Sequence, residues 1–209
     1  MIIALVIGGN SGIGEAVAPQ LARQPDHHVI LTARNLEAGQ TVPAALVKEG
    51  YSVSAVHLDL SSDVSISAVT KHIQEAYGKL DILVNNAGIA VDHHSDLSIR
   101  ENLSMTFDTN VFGTAVLTDA HLDVLRQFTA PRVVFVSSSV ASPALSNDEN
   151  WPYYHTISKS YKSSKAAVNM LVLHYSRALQ DVNELVDSLA LLGANGRTAT
   201  FLDRDGPIP

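Results

Sequence analysis

There is no cysteine in the 209 residues, which excludes disulfides, thiolate zinc sites, iron–sulfur clusters and cysteine nucleophiles together. Cationic charge is also scarce. Fourteen Lys and Arg stand against 21 Asp and Glu, for a formal net charge of −7, so the basic face of a nucleic-acid binder is not expected. Charged residues make up 17% and hydrophobic residues 46%, a balance that argues against disorder. The opening apolar run, residues 1–7, is too short for a membrane span and lacks the basic flank and cleavage site of a signal peptide. The adjacent pairs His27-His28 and His93-His94 diverge instead of converging on one ion. They predict surface loops and no metal. What these absences leave is an acidic globular domain, expected to be a cytoplasmic enzyme that meets neither nucleic acid nor membrane.

Short β-branched apolar runs alternate with longer amphipathic stretches, the pattern of a parallel α/β sheet. Strands are expected at 2–7, 29–32, 53–57, 82–84 and 133–136, apolar on both faces as strands covered by helices must be. Ser61-Ser62-Asp63 offers helix caps ahead of Ile66, Val69, Ile73 and Tyr77. Val168, Leu171, Val172, Tyr175 and Leu179 repeat that stripe after Tyr161. Pro19 and Pro43 fall inside expected helices, where each would cost about 3 kcal/mol. They predict a kink or a late helix start.

The first strand runs into Gly8-Gly9-Asn10-Ser11-Gly12-Ile13-Gly14. Glycines at this βα junction let backbone approach a pyrophosphate at the start of the next helix, where free N–H groups and the dipole favour an anion. After the second strand, Ala33 stands where an NAD site would place an acid, and Arg34 follows. A guanidinium without a neighbouring carboxylate suits a 2′-phosphate, although a solvated strand-end arginine would look the same. Asp59-Leu60 and Asn85-Asn86-Ala87-Gly88 fall at carboxyl ends of strands, where such sheets bind ligands. Tyr161 and Lys165 are four apart and share a helix face. A neighbouring ammonium would favour the phenolate and lower the tyrosine pKa toward the working range. The Ser137-Ser138-Ser139 run offers a hydroxyl to a developing alkoxide.

In this order, the motifs resemble the short-chain dehydrogenase/reductase family over residues 2 to about 180. Leu31-Thr32-Ala33-Arg34 and the stretch ending in Asn85-Asn86-Ala87-Gly88 are similar to its NADPH-dependent carbonyl reductase branch. The resemblance implies a Rossmann-type doubly wound parallel sheet in a single domain, 1–209, with NADP(H) as cofactor. It implies a cofactor site built from Gly8, Asn10, Ser11, Gly12, Ile13, Gly14 and Arg34. Asp59, Leu60, Asn86, Ala87, Gly88, Tyr161 and Lys165 would complete it. Tyr161 would be the proton donor, Lys165 would hold the nicotinamide ribose and lower the tyrosine pKa, and Ser138 would position the carbonyl. Asn110, after Asp108-Thr109, would hold a water linking Lys165 to solvent. The implied activity is hydride transfer to a ketone or aldehyde. NADP-linked oxidation of an alcohol on the same scaffold, or a non-catalytic NADP-binding regulator, are the alternatives.

Three departures from the family modify these expectations. Ile7 replaces the usual threonine before the first glycine, and Ser11 replaces a second basic residue, which leaves phosphate recognition to Arg34. Ser138 and Tyr161 lie 23 residues apart, a long interval for the family. The insertion, 142–160, carries Trp151, Tyr153 and Tyr154 and favours a monomer over the family tetramer. Only 44 residues follow Lys165, without a Pro-Gly pair. On that arithmetic 184–192 is the family's last helix and 198–202 its last strand, with a central strand omitted between Asn183 and Glu184.

Overall fold

The protein is described from a computed structural model covering residues 1–128 and 130–179, together with the backbone of 185–187, 202–203 and 206–207. The first half alternates β1 Ile2–Val6, α1 Gly12–Ala22, β2 His27–Ala33, α2 Leu36–Gly39, α3 Thr41–Lys48, β3 Val53–His57, α4 Asp63–Tyr77 and β4 Ile82–Asn85. The second half continues with α5 Ile99–Phe107, a π-helical turn Asp108–Gly113, α6 Thr114–Leu125, β5 Arg132–Phe135, the short α7 Pro143–Ser146, α8 Lys159–Ala178 and β6 Leu185–Asp187. A two-residue pair, β7 Leu202–Asp203 and β8 Gly206–Pro207, forms a separate antiparallel ribbon.

β1 to β6 pair in parallel in the order 3-2-1-4-5-6, the arrangement of a Rossmann-type doubly wound sheet. The chain winds outward from β1 through β2 to β3, then returns to place β4 on the other side of β1. That reversal opens a crevice beyond the carboxyl ends of β1 and β4. Alternation along β1 explains why helices cover both faces. Ile3 and Leu5 join a core shared with Ile66 and Ile73 of α4, Leu117 of α6 and Val168 and Val172 of α8. Ala4 and Val6 face Ala18 and Ala22 of α1 and Leu46 of α3. Tyr175 packs flat on Phe135 at 5.7 Å and donates its hydroxyl to Asp119 at 2.9 Å, which bolts α8 to β5 and α6. Among the described residues no helix is long and apolar enough to cross a membrane.

Three expectations change, and that for Pro43 holds. α1 starts on schedule at Gly12 and runs through Pro19, so no late start occurs there. Pro43 behaves as expected: α2 ends at Gly39, and α3 restarts at Thr41 with Pro43 in its first turn, where a missing N–H costs nothing. His27 and His28 are not in a loop but open β2, and the His28 ring nitrogens meet Ser52 at 2.7 Å and Tyr77 at 2.9 Å. Leu185–Asp187 is a strand beside β5 and not part of a helix over 184–192. The outer edge of β5 presents unpaired N–H and C=O groups, and satisfying them outweighs a weak helical preference. β6 thus takes the sheet position that the sequence arithmetic assigned to an omitted strand. The junction Asn183–Glu184 lies outside the described residues, as do 188–192 and 198–201.

His121 on α6 is fully buried, with Nδ1 on the Leu117 carbonyl at 2.8 Å and Nε2 without a hydrogen-bond partner. Burial lowers its pKa below the ordinary 6.5, the Leu117 contact opposing. In the unfolded chain the ring takes up a proton below about 6.5, and in the folded chain only at lower pH. Stability is therefore expected to fall as pH drops through that window, by at most about 1.4 kcal/mol per pH unit from this group. Urea unfolding at pH 7.5 and 5.5 should show a smaller pH dependence in His121→Phe than in the wild type. Identical dependence in both would remove His121 as the cause.

Candidate active site

The crevice between β1 and β4 holds a cleft of about 350 Å³. Its floor is the turn from β1 into α1. Gly8 adopts φ +69°, a backbone conformation that a side chain disfavours. A Cβ on Gly14 would lie 2.2 Å from the Gly8 carbonyl oxygen, so only glycine lets the first turn of α1 close on the loop. Ser11 at the N-cap makes no side-chain capping bond, and the helix N-terminus keeps its N–H groups and dipole for an anion. Two side chains lock the loop from neighbouring strands. The Asn86 amide donates to the carbonyls of Ile7 and Gly8, both at 3.0 Å. Thr32 Oγ1 accepts from the Gly8 N–H at 3.1 Å. The threonine missing at position 7 is thus answered by a hydroxyl from β2.

At one end of the cleft, Arg34 follows β2 with its side chain exposed, and Asp59 follows β3. Asp59 accepts from the Ser61 hydroxyl at 2.7 Å and the Ser61 N–H at 2.9 Å. These bonds, helped by Arg34 and His57, hold its carboxyl below the usual range. No acid stands at position 33, where Ala33 lines the cleft instead. A cation beside a cradle of backbone N–H groups fits a phosphorylated dinucleotide.

At the other end α8 presents Tyr161 and Lys165. Lys165 is buried and donates to the Val136 carbonyl at 2.7 Å. Its Nζ lies 5.8 Å from the centre of the Tyr161 ring. Burial pulls the ammonium down to about 8. Burial pushes the Tyr161 phenol above the ordinary 10, and the nearby Ser138 side chain only partly opposes this. The expected lowering by Lys165 is not found: its Nζ lies 5.8 Å from the ring centre, and burial of the phenol dominates. Asn110 lies on the π-helical turn, buried. It exchanges two hydrogen bonds with Ile89, at 2.8 and 2.9 Å, and donates to Ser164 of α8 at 3.0 Å. A Cβ on Gly88 would stand 3.3 Å from both Asn110 Oδ1 and Lys165 Nζ, so these groups converge on that glycine.

The structure therefore gathers the residues singled out from sequence around one cleft. Asn10, Ser11, Gly12 and Ile13 line it beside Gly8, and Leu60, Ala87 and Gly88 line it from the adjoining strands. Gly14, Ser138 and Asn110 stand just behind, through Gly8, Tyr161 and Ile89 respectively. Sequence reasoning missed Thr32, which also lines the cleft, as does Ser137 of the serine run in place of Ser138. It also missed Asp92, which accepts from backbone N–H groups of α8. Thr32 was legible as the last inward polar residue of β2; nothing local marks Asp92.

Residues 2–190 match the family model described as short chain dehydrogenase. A short-chain dehydrogenase of Penicillium roqueforti, anuI, is 34% identical over 189 residues, which is 88% of this chain and 75% of that protein. A mouse protein, carbonyl reductase [NADPH] 1, is 40% identical over 145 residues, 69% of this chain but only 52% of its own length. The chain thus spans about half to three quarters of these relatives. Among solved structures, the Pseudomonas aeruginosa RhlG/NADP active-site complex superposes with a TM-score of 0.76 at 27% identity. It covers 90% of this chain and 71% of that one.

Proposed function

The chain belongs to the short-chain dehydrogenase family, and from that premise we propose that it reduces a ketone or aldehyde with NADPH, Tyr161 giving the proton. Similarity to a carbonyl reductase named for NADPH and to a structure holding NADP supports the cofactor. So does Arg34 beside a cleft with no acid at position 33. In this reading the α1 N-terminus and Gly8–Ile13 receive the pyrophosphate, Arg34 the 2′-phosphate, Asp59 and Leu60 the adenine side, and Asn86–Gly88 and Lys165 the nicotinamide ribose. The cofactor supplies the hydride.

The observation that carries the reading is that Tyr161 and Lys165 line the same cleft as the glycine turn, with the Lys165 Nζ 5.8 Å from the Tyr161 ring centre. A buried phenol stays protonated at neutral pH, the form needed to hand a proton to a carbonyl oxygen; alcohol oxidation needs the phenolate. The Ser138 hydroxyl, which stands by Tyr161, is set to turn its one proton to that oxygen as charge develops. Lys165 is positioned to favour the phenolate left after transfer, and Asn110 fixes the Ile89 backbone and Ser164 beside it.

The test is NADPH consumption against a panel of ketones, aldehydes and quinones, with NADP⁺ and the matching alcohols in parallel. Turnover with carbonyls above that with alcohols at neutral pH is expected. Faster alcohol oxidation would reverse the direction. NADPH binding without turnover of any member would favour the regulator.

A further inference from the structure

We propose that Asp92 is a positioning residue that clamps the first turn of α8, and with it Tyr161, to the loop that lines the cleft after β4. The inference rests on the reading of Tyr161 as the proton donor. Helix α8 begins at Lys159, and its own N-cap residue, Ser158, makes no side-chain capping bond. The first-turn N–H groups, which lack partners within a helix, are satisfied from elsewhere. Asp92 takes them with both oxygens: Oδ1 accepts from the Ser160 N–H at 2.9 Å, and Oδ2 from the Tyr161 N–H at 3.1 Å. The two partners are 68 and 69 positions away in sequence, so this is a tertiary clamp and not a local cap.

Asp92 stands in the same loop as Asn86 and Ile89. Asn86 grips the glycine turn, and Ile89 exchanges two hydrogen bonds with Asn110. One short segment thereby touches the phosphate loop, the π-helical turn and the start of α8. A second set of contacts holds the same turn from behind. The buried Ser160 hydroxyl donates to Asn102 at 3.2 Å and accepts from Thr106 at 3.3 Å, both on α5. A carboxylate accepting from two N–H groups at the positive end of a helix makes stronger bonds than neutral caps do. Burial alone would raise the Asp92 pKa, but hydrogen bonding from Ser160 and Tyr161, in which these two N–H groups take part, outweighs it and holds the carboxyl below the usual range.

The two residues of the Tyr161/Lys165 pair are anchored differently. Lys165 lies a turn further along and is held by Val136. Tyr161 sits in the terminal turn, which frays first when a cap is lost. Removing the clamp should therefore displace the phenol and leave the ammonium and the phosphate loop in place. Displacements on the order of 1 Å at a reacting group cost about a hundredfold in rate.

Asp92→Ala is expected to lower kcat roughly ten- to hundredfold while the Kd for NADPH stays within about threefold. Asp92→Asn, which keeps one acceptor oxygen, should recover part of that loss. A readout without turnover separates this claim from the assigned reaction: amide hydrogen exchange at Ser160 and Tyr161 should accelerate in Asp92→Ala, with α4 unchanged. Accelerated exchange in a protein whose wild type reduces no carbonyl would keep the clamp and sink the reaction. Unchanged exchange would overturn the clamp. So would a kcat within about threefold of wild type, or a loss of NADPH affinity as large as the loss of kcat.

Discussion

Tyr161→Phe is expected to lose nearly all carbonyl reduction and to leave NADPH binding nearly intact. The substitution removes one hydroxyl from a half-buried ring and none of the cofactor-facing backbone. General acid catalysis contributes roughly 10²–10⁴-fold, and the variant is expected to lose a factor in that range in kcat. NADPH affinity, measured by fluorescence titration, should hold because the glycine turn, Arg34 and Lys165 are untouched. Retention of more than a few per cent of wild-type kcat would mean that another group, or water, delivers the proton. Lys165→Ala should behave differently. Lys165 reaches both Val136 and the Tyr161 ring, so cofactor affinity and turnover are both expected to fall.

Arg34→Asp should weaken NADPH by about a hundredfold and NADH far less. A charge-assisted hydrogen bond to a phosphate is worth about 1.5–3 kcal/mol, and the new carboxylate adds repulsion toward the 2′-phosphate. It also stands near Asp59, which Arg34 now helps keep ionised, so two acids would face the same phosphate. The measurement is the ratio of Kd values for the two cofactors in each protein. An equal loss for both would detach Arg34 from the phosphate and leave it a solvated strand-end residue.

What could be seen in the sequence depended on whether the signal was local. The glycine turn, the strand ends at Ala33, His57 and Asn85, and the Tyr161/Lys165 spacing are each written within a few residues, and the structure brings them to one cleft. The segment holding α5, the π-helical turn and α6 gave no helix signal, for a physical reason. Its buried face carries Asn102, Thr106, Asn110, Thr114, Thr118 and His121, polar groups that break the apolar stripe on which helix reading depends. Asp92 was invisible because its partners come from the far end of the chain. The direction of the Tyr161 shift was misjudged because spacing on a helix tells which groups are near, but not how dry their surroundings are.

The π-helical turn at Asp108–Gly113 carries a consequence for any comparison of this chain with its relatives. A π turn holds one residue more than an α turn. Gly113 presses against β3's extension so closely that a Cβ would stand 2.1 Å from the Leu60 carbonyl oxygen, so the downstream side is fixed. Loss of one residue within the turn would therefore close it to an α turn, with the flanking helices kept nearly in phase. Asn110 would be drawn off Ile89 and Ser164, while Asn102 and Thr106 of α5 kept their hold on Ser160. Insertions and deletions, tolerated elsewhere on the surface, should be absent from these six positions in every relative that uses the tyrosine and lysine. A single-residue deletion within the turn should give a folded chain that has lost turnover, checked by circular dichroism beside the activity assay; retained turnover would show that Asn110 is not needed where it stands.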